Sequence, residues 1–556
     1  MKLRHIILPM SIAAASMASA QGLNTEITVE REVIPQQTGA TRRPLVPSLS
    51  LPAVAPVSLS VSDRYEATTV PPYLSQLEPA PYATTQLRDD YRGYLDAGYF
   101  PAYNLGVSAG YRITPSNDTD IDIFGQFNGH SYKGHITGGD TDADRASLHR
   151  NTFTVGSHMS HRLGRQSRIT AHLGYTISAW NTHDLQPNDA PADPDTEWEP
   201  TADIASQGLN ANRINLGAAW SSRIGSTDIN AAADYELFKF GGTDKSVTEN
   251  SGRINASALW HYNEVSGWGG DFDLRLTGDS PVGLTKGVIR LAPRYTYRSR
   301  HFNARLGLIL DLAAGKRNYA TPSGTDPVLA PDLMLSWTPS GSFAVWGRFS
   351  GELEANTVAS VYDYTPYCDP TAAYGFSRIP VKIDAGITIG PWRGAALELR
   401  GGYASAENWL MPSPSTPYTF IHRDVDGLHY GATASYSYQR YIDIKVRYDA
   451  ASHSSNHGYY LWRDGARSEF GAEIGTSPIE PLSLRLSYTY REGRRQGTEV
   501  DLGVISDLGL SAHYDVNDRL GVFARAENLL GRRYYTALWV PAQGVRGLIG
   551  ITYKFR

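Results

Sequence analysis

Cysteine is nearly absent: Cys368 is the only one in 556 residues, which excludes an internal disulfide and a thiolate metal cluster. Its neighbours Tyr367, Asp369 and Pro370 predict a loop. Nothing nearby in sequence activates the thiol. Long apolar runs are missing too. Beyond the first twenty residues no stretch of about 18 apolar residues occurs, which excludes a helical membrane protein. The mean hydropathy of -0.34 leaves a membrane barrel open, because its strands alternate lipid-facing and lumen-facing residues and average to neutral. Excess charge of one sign is also lacking. A net charge of -5 argues against a nucleic-acid partner, which needs a clustered basic face. There is no Gly-x-Ser-x-Gly elbow and no phosphate-cradling loop. The 15 histidines show no metal-ligand spacing in a credible element: His149, His158 and His161 come nearest, but on a strand 158 and 161 point to opposite faces.

Lys2 and Arg4 followed by the apolar run Ile6 to Ala15 and by Ala18-Ser19-Ala20 form a secretory signal, residues 1–20, with the mature chain starting at Gln21. Residues 21–90 carry nine prolines, among them Pro35, Pro44, Pro47, Pro52, Pro56, Pro71 and Pro72. Such a stretch lacks sheet donors and cannot form long helices. It predicts an extended periplasmic arm with one short strand at Glu26 to Val33.

Residues 91–556 change in texture. Composition includes 34 Tyr, 11 Trp and 53 Gly, suited to interfacial aromatic girdles and many tight turns. Several segments alternate with a period of two. In one, Leu482, Leu484, Leu486, Tyr488 and Tyr490 oppose Ser483, Arg485, Ser487, Thr489 and Arg491. In another, Leu428, Tyr430, Ala432, Ala434, Tyr436 and Tyr438 oppose His429, Gly431, Thr433, Ser435 and Ser437. The last strand sets Ile549, Ile551, Tyr553 and Phe555 against Gly550, Thr552 and Lys554. Aromatics end the apolar face, as where a strand reaches headgroups. The other face is too wet for a packed sandwich core. The predicted fold is all-β: a transmembrane antiparallel β-barrel.

Tight connections near Thr114 to Asp118, Gly164, Ile224, Ser299, Pro339, Pro391, Gln439, Pro478 and Val516 alternate with long ones near residues 130–148, 180–206, 313–326, 352–376, 405–424, 451–464 and 530–543. Short periplasmic turns and longer external loops make that pattern. The count is about 22 strands, even if Gly93 to Phe100 and Asn104 to Ile113 form a hairpin, with both chain ends then in the periplasm.

Ala526-Glu527-Asn528-Leu529-Leu530-Gly531-Arg532-Arg533-Tyr534-Tyr535 resembles the penultimate-strand signature of TonB-dependent receptors, an Asn-Leu pair followed by a Tyr-Tyr pair. Pro541, Gly544 and a last strand ending Tyr553-Lys554-Phe555 follow as in that family. A plain hairpin with Asn528 starting a turn is the alternative. The resemblance implies that the barrel assembly machinery recognises Tyr553 and Phe555 as an insertion signal, with Arg556 a departure from the usual final Phe. It also implies a plug of well over a hundred residues, whereas only about 70 proline-rich residues precede the first strand here. The chain in this respect looks like Bacteroidota-type members that lack a full plug. Leu23 to Arg31 contains a TonB-box-like segment, Thr25, Glu26, Ile27, Thr28 and Val29, of the kind that adds as a strand to an energy-transducing partner.

Asp140, Asp142 and Asp144 alternate in a predicted external loop, a spacing of hard oxygen ligands that suits Ca²⁺, with a solvated acidic loop as the plainer reading because Asn151 stands where an EF-hand carries its bidentate Glu. Asp189, Asp193, Asp195, Glu197 and Glu199 surround Trp198 in a second acidic loop. Lumen-facing Arg485, Arg491, Arg525, Glu527, Glu398 and Arg400 either set the field of a pore or brace its wall as ion pairs. No cofactor and no catalytic residue is implied. The expected role is outer-membrane transport of a solute, with membrane lipid and a TonB or lipoprotein partner. The rivals are a structural barrel that scaffolds such a partner, and a surface enzyme.

Overall fold

The computed structural model describes residues 91–555 apart from 102, 136–144, 185–204, 243–244, 281–283, 316–326, 370–373, 413–418, 439–440, 452–465, 497–499 and 538–539. The signal segment, the proline-rich arm with its Glu26–Val33 strand and TonB-box-like segment, and the acidic loops at 140–144 and 189–199 lie outside the described residues.

The wall begins with β1 (Gly93–Phe100), β2 (Asn104–Ser116), β3 (Thr119–His135), β4 (Arg145–Arg162), β5 (Ser167–Asp184) and β6 (Ala205–Ile224). It continues through β7 (Thr227–Gly241), β8 (Ser246–His261), β9 (Ser266–Ser280), β10 (Leu284–Arg298), β11 (Phe302–Gly315), β12 (Val328–Ser340) and β13 (Phe343–Ala355). A short helix, α1 (Val358–Tyr364), precedes β14 (Phe376–Trp392), β15 (Ala395–Pro412), β16 (Phe420–Tyr438), β17 (Ile442–Ala451), β18 (Ser468–Ile479) and β19 (Leu482–Glu492). The ribbon β20 (Arg495–Gln496) and β21 (Val500–Asp501) interrupts the next loop before β22 (Ile505–Asp515) and β23 (Leu520–Glu527). A second ribbon, β24 (Tyr535–Ala537) with β25 (Val540–Pro541), leads into β26 (Arg546–Phe555).

All but the two ribbons join in one 22-stranded sheet. Each strand is antiparallel to its sequence neighbour, and β1 pairs with both β2 and β26, so the sheet has no edge. The expected hairpin forms, with Phe100 opposite Asn104, and the count is even. Both described ends lie at the short-turn end of the barrel. There, two-residue turns such as Arg393-Gly394 place both residues at positive φ, 50° and 92°, the geometry that matches strand twist.

The period of two sorts side chains as predicted. On β16, Leu428, Tyr430, Tyr436 and Tyr438 are exposed, whereas Gly431 is buried and His429, Thr433 and Ser435 are half-buried. The same face of the wall carries exposed Leu173, Leu216, Ile254, Leu276, Leu306, Ile387, Leu399, Leu510 and Ile549. Trp260, Tyr262, Trp268, Trp337, Trp392, Tyr438, Tyr514 and Tyr553 are exposed near the short turns. Tyr99, Tyr235, Tyr430 and Tyr448 stand farther along the strands. The eight residue steps from Tyr430 to Tyr438 rise roughly 20 Å at a tilt of about 40°, close to the height of an apolar band flanked by aromatic girdles.

On the inner face, polar pairs join strands that are not neighbours. Strands two apart are separated by about 9.6 Å, so a pair between them must lie across the strand between. Glycine at the crossed position makes that passage. Asp384 on β14, Gly402 on β15 and His429 on β16 share one register line, and His429 Nε2 lies 3.0 Å from Asp384 Oδ1. Arg400, Gly431 and Asp449 repeat the device one strand on, with Arg400 Nη2 2.6 Å from Asp449 Oδ1. His172, Gly217 and Asp234 form a third line, at 3.9 Å.

A Cβ at Gly402 would sit 2.4 Å from His429 Nε2 and 2.5 Å from Asp384 Oδ1. Gly402→Val is therefore expected to separate a nearly buried pair and to cost about 1–3 kcal/mol, seen as a lower midpoint in the heat-induced gel mobility shift of the barrel. Gly471→Ala, where an added Cβ meets nothing within 4 Å, is expected to leave that midpoint unchanged.

Candidate functional site

The long connection between β13 and β14 does not stand outward from the rim. Its direction is set in the strand before it. β12 pairs with β13 only from Ser340–Phe343 to Leu333–Phe349. Above Phe349, β13 pairs with β14 alone, through a register shift between Ser350 and Glu352. The freed limb turns to the inner side. Leu353 packs there with Val288, Val328, Ala330 and Phe376. The fully buried Asp311 on β11 holds this limb: it accepts the Leu353 amide proton at 2.8 Å and is clamped by Arg290 at 2.7 and 2.8 Å.

Beyond the limb, Thr357 caps α1, accepting from the Ser360 amide while the Ser360 hydroxyl donates back to the Thr357 carbonyl. Two amides at the helix start, those of Val358 and Ala359, point at β8. Glu249 on β8, fully buried, accepts from Val358 N–H at 2.8 Å and from Ala359 N–H at 3.1 Å. A carboxylate bonded to two amides at a helix start matches both the unpaired donors and the dipole.

The surrounding wall is apolar where a wet lumen was expected. Trp180, Ala211, Phe238, Phe240 and Val247 form one buried cluster with Val358, Ala359, Val361, Tyr367, Cys368 and Tyr374 of the loop. Tyr362 inserts between rings, 5.1 Å from Phe238 and 5.5 Å from both Trp180 and Phe240. Charged groups frame this core. Arg213 lies 4.9 Å over the Phe238 ring and 2.9 Å from Asp363. Arg150 reaches the Tyr362 hydroxyl at 3.3 Å. Lys286 donates to the Tyr374 carbonyl at 2.7 Å. On the far side, His422 of β16 accepts from the Gly375 amide at 3.2 Å and faces the Asn408 carbonyl at 2.8 Å through its other nitrogen, which fits the neutral ring. The loop thus crosses the mouth, tied to β4–β8 on one side and to β16 on the other.

Cys368 sits inside this crossing, free and buried. Burial, then the neighbouring Asp369 and Asp363, push its thiol well above the ordinary range, and burial raises the Tyr374 phenol likewise. A thiol held neutral is a packing group and not a nucleophile.

A second inward loop, described over residues 528–537 and 540–545, covers another part of the mouth and explains the Asn-Leu motif physically. Asn528, at φ 49° and fully buried, donates to the Arg532 and Gln543 carbonyls at 3.0 and 3.1 Å and accepts from the Arg532 amide at 3.0 Å. It starts a turn, and it also clasps the loop. Leu529 and Leu530 stay exposed. Tyr132 of β3 holds the Pro541 carbonyl at 2.7 Å, and Val540 joins the buried cluster around α1.

The other sequence candidates are placed as follows. Arg485 pairs with Glu473 at 2.8 Å, and Arg491 with the buried Glu469 at 2.9 Å. Arg400 lies between Asp449 and Glu398, the latter at 3.9 Å. Glu527 pairs with Arg546, and Arg525 stacks 5.6 Å from the Phe523 ring. These charges occupy one inner face, but they do not converge on one point. Phe555 stacks on Tyr111 at 5.9 Å and 11° across Gly93, which faces both residues in register. Tyr553 stacks on Phe555 at 6.4 Å. The two terminal aromatics therefore seal the seam. Asp140, Asp142, Asp144 and the Thr25–Val29 segment lie outside the described residues.

No family model and no curated protein matches the chain. Solved structures do. The FrpB iron transporter from Neisseria meningitidis (F5-1 variant) aligns with TM-score 0.63 and 13% identity over 84% of this chain and 83% of that one. The ferric enterobactin receptor PfeA, in its complex with BCV-L6, gives 0.59 and 11% over 85% and 82%. The ferripyoverdine receptor of the outer membrane of Pseudomonas aeruginosa gives 0.60 and 9% over 85% and 72%. The likeness is one of fold: a closed 22-strand barrel of the TonB-dependent receptor kind.

The Asn528 clasp makes a specific forecast. Asn528→Ala loses three hydrogen bonds and strains a left-handed position, and is expected to cost about 2–4 kcal/mol. Asn528→Gly keeps the backbone relaxed and costs less. The order is read from the two midpoints of heat-induced mobility shift.

Proposed function

We propose that the chain is an outer-membrane transport protein that takes up or passes a polar solute. The observation that carries this reading is the closed wall with an apolar, aromatic-edged outside and a charged inside. Such a wall is stable only where lipid surrounds it and water fills at least part of it. The structural neighbours, described as an iron transporter, a ferric enterobactin receptor and a ferripyoverdine receptor, support uptake over catalysis. The reading needs no chemistry on the solute, only binding and passage.

The inner face supplies paired charges: Arg253 and Arg275 flank Asp273 at 2.9 and 2.7 Å, Arg290 faces Asp311, and Arg447 bridges Asp449 and Glu469. Paired walls stiffen a barrel and select weakly by charge. In this reading the mature chain starts at Gln21, the arm of residues 21–90 lies in the periplasm, and the Thr25–Val29 segment adds as a strand to a TonB-type partner.

Purified in detergent and added to planar bilayers, the full chain is expected to insert, to run faster on gels unboiled than boiled, and to conduct ions. Deleting residues 21–90 is expected to change that conductance. Ile27→Pro removes a strand donor and is expected to abolish energised uptake in cells while leaving conductance as it was. A chain that stays in the aqueous fraction without detergent overturns the reading.

A further inference from the structure

The β13–β14 loop joins features that a surface loop does not need. Its helix start is bonded to a carboxylate 109 residues earlier in the chain, on a strand five places away around the wall. Val358 and Val361 are almost fully buried against that wall. The apolar patch that receives them, Phe238 and Phe240 on the inner face of β7, would stand in the lumen if the loop were elsewhere. Exposing aromatic surface of that kind to water is costly, which makes the closed position the resting one.

We propose that this loop is an autoinhibitory gate, closed by the Glu249 carboxylate on the two amides of α1, and that release of this latch swings the loop off the inner wall and widens the mouth. The latch is one of several polar ties in this contact, beside Arg213 to Asp363, Arg150 to Tyr362 and Lys286 to the Tyr374 carbonyl, and it is the one in which a fully buried carboxylate meets the helix start. Its loss leaves two amides and a helix dipole without an acceptor, whereas the barrel wall keeps every strand pairing. The gate therefore opens without unfolding the barrel. The hinge is present in the wall: β13 above Phe349 has already left β12 and is held to β11 through Asp311.

Cys368 is a native reporter of this motion, because it is the only cysteine in the sequence and is buried within the closed contact. The full chain in detergent micelles is treated with a membrane-impermeant maleimide, and the labelling rate is read at fixed pH. The closed gate predicts slow labelling in the parent protein, far below the rate after unfolding. Glu249→Gln keeps the shape but presents one oxygen to two donors. It is expected to speed labelling about 10-fold or more, with larger single-channel conductance and an unchanged heat-shift midpoint for the wall. Should Glu249→Gln fail to insert, Lys286→Met, which frees the Tyr374 carbonyl, is expected to act in the same direction. Equal labelling rates in parent and variant overturn the proposal, as does fast labelling of the parent. Faster labelling with unchanged conductance overturns the gate while leaving the transport reading to its own test, since Cys368 reports the loop and not the passage of solute.

Discussion

Inside hydrocarbon a backbone amide or carbonyl has no water to bond, so each must find a partner within the chain. That constraint governs the whole molecule. A sheet satisfies it only by closing, and closure here depends on β26 meeting β1. The seam is made where bulk would obstruct it least: Gly93 sits between Tyr111 and Phe555, and the two rings stack across it. The C-terminal aromatic thus serves the closed state directly, whatever further part it plays in delivery to the membrane.

A closed wall of 22 strands encloses a wide interior, and a wide interior needs bracing other than a packed core. The bracing is electrostatic. Neighbouring strands exchange ordinary pairs such as Arg290 with Asp311, and strands two apart are tied over glycines, as Asp384 to His429 and Arg400 to Asp449. Each tie links three strands at once. Glycine has this use only on the inner face, where the crossing side chains are long and polar.

At the mouth the logic reverses. The wall becomes apolar at Trp180, Phe238 and Phe240, and the loop that covers it is apolar too. Charges there act singly and at the edge: Glu249 at the helix start, Arg213 on Asp363, Lys286 on a carbonyl. The molecule therefore has a charged, braced interior below and an apolar contact above.

Period-two alternation, aromatic ends of apolar faces and the rhythm of short and long connections determined the barrel, its count of strands and which face of each strand meets lipid. These are local properties, set by chain geometry within a few residues, and they were legible without contacts. The Asn-Leu motif marked the right place, but the clasp made by Asn528 on Gln543 required the folded loop. What only the tertiary structure decided is the inner lining. Whether Gly402 is a weak point or a crossing depends on which residues of β14 and β16 lie beside it, and that register is fixed around the whole wall. The inward course of the β13–β14 loop follows from β12 and β13 parting above Phe349 and from Glu249 waiting over a hundred residues away. The alternation around Leu237-Phe238-Lys239-Phe240 does put apolar residues on both faces, a local sign that this inner patch is covered. Nothing local names its cover, because a contact between distant segments is chosen by the closed shape that brings them together.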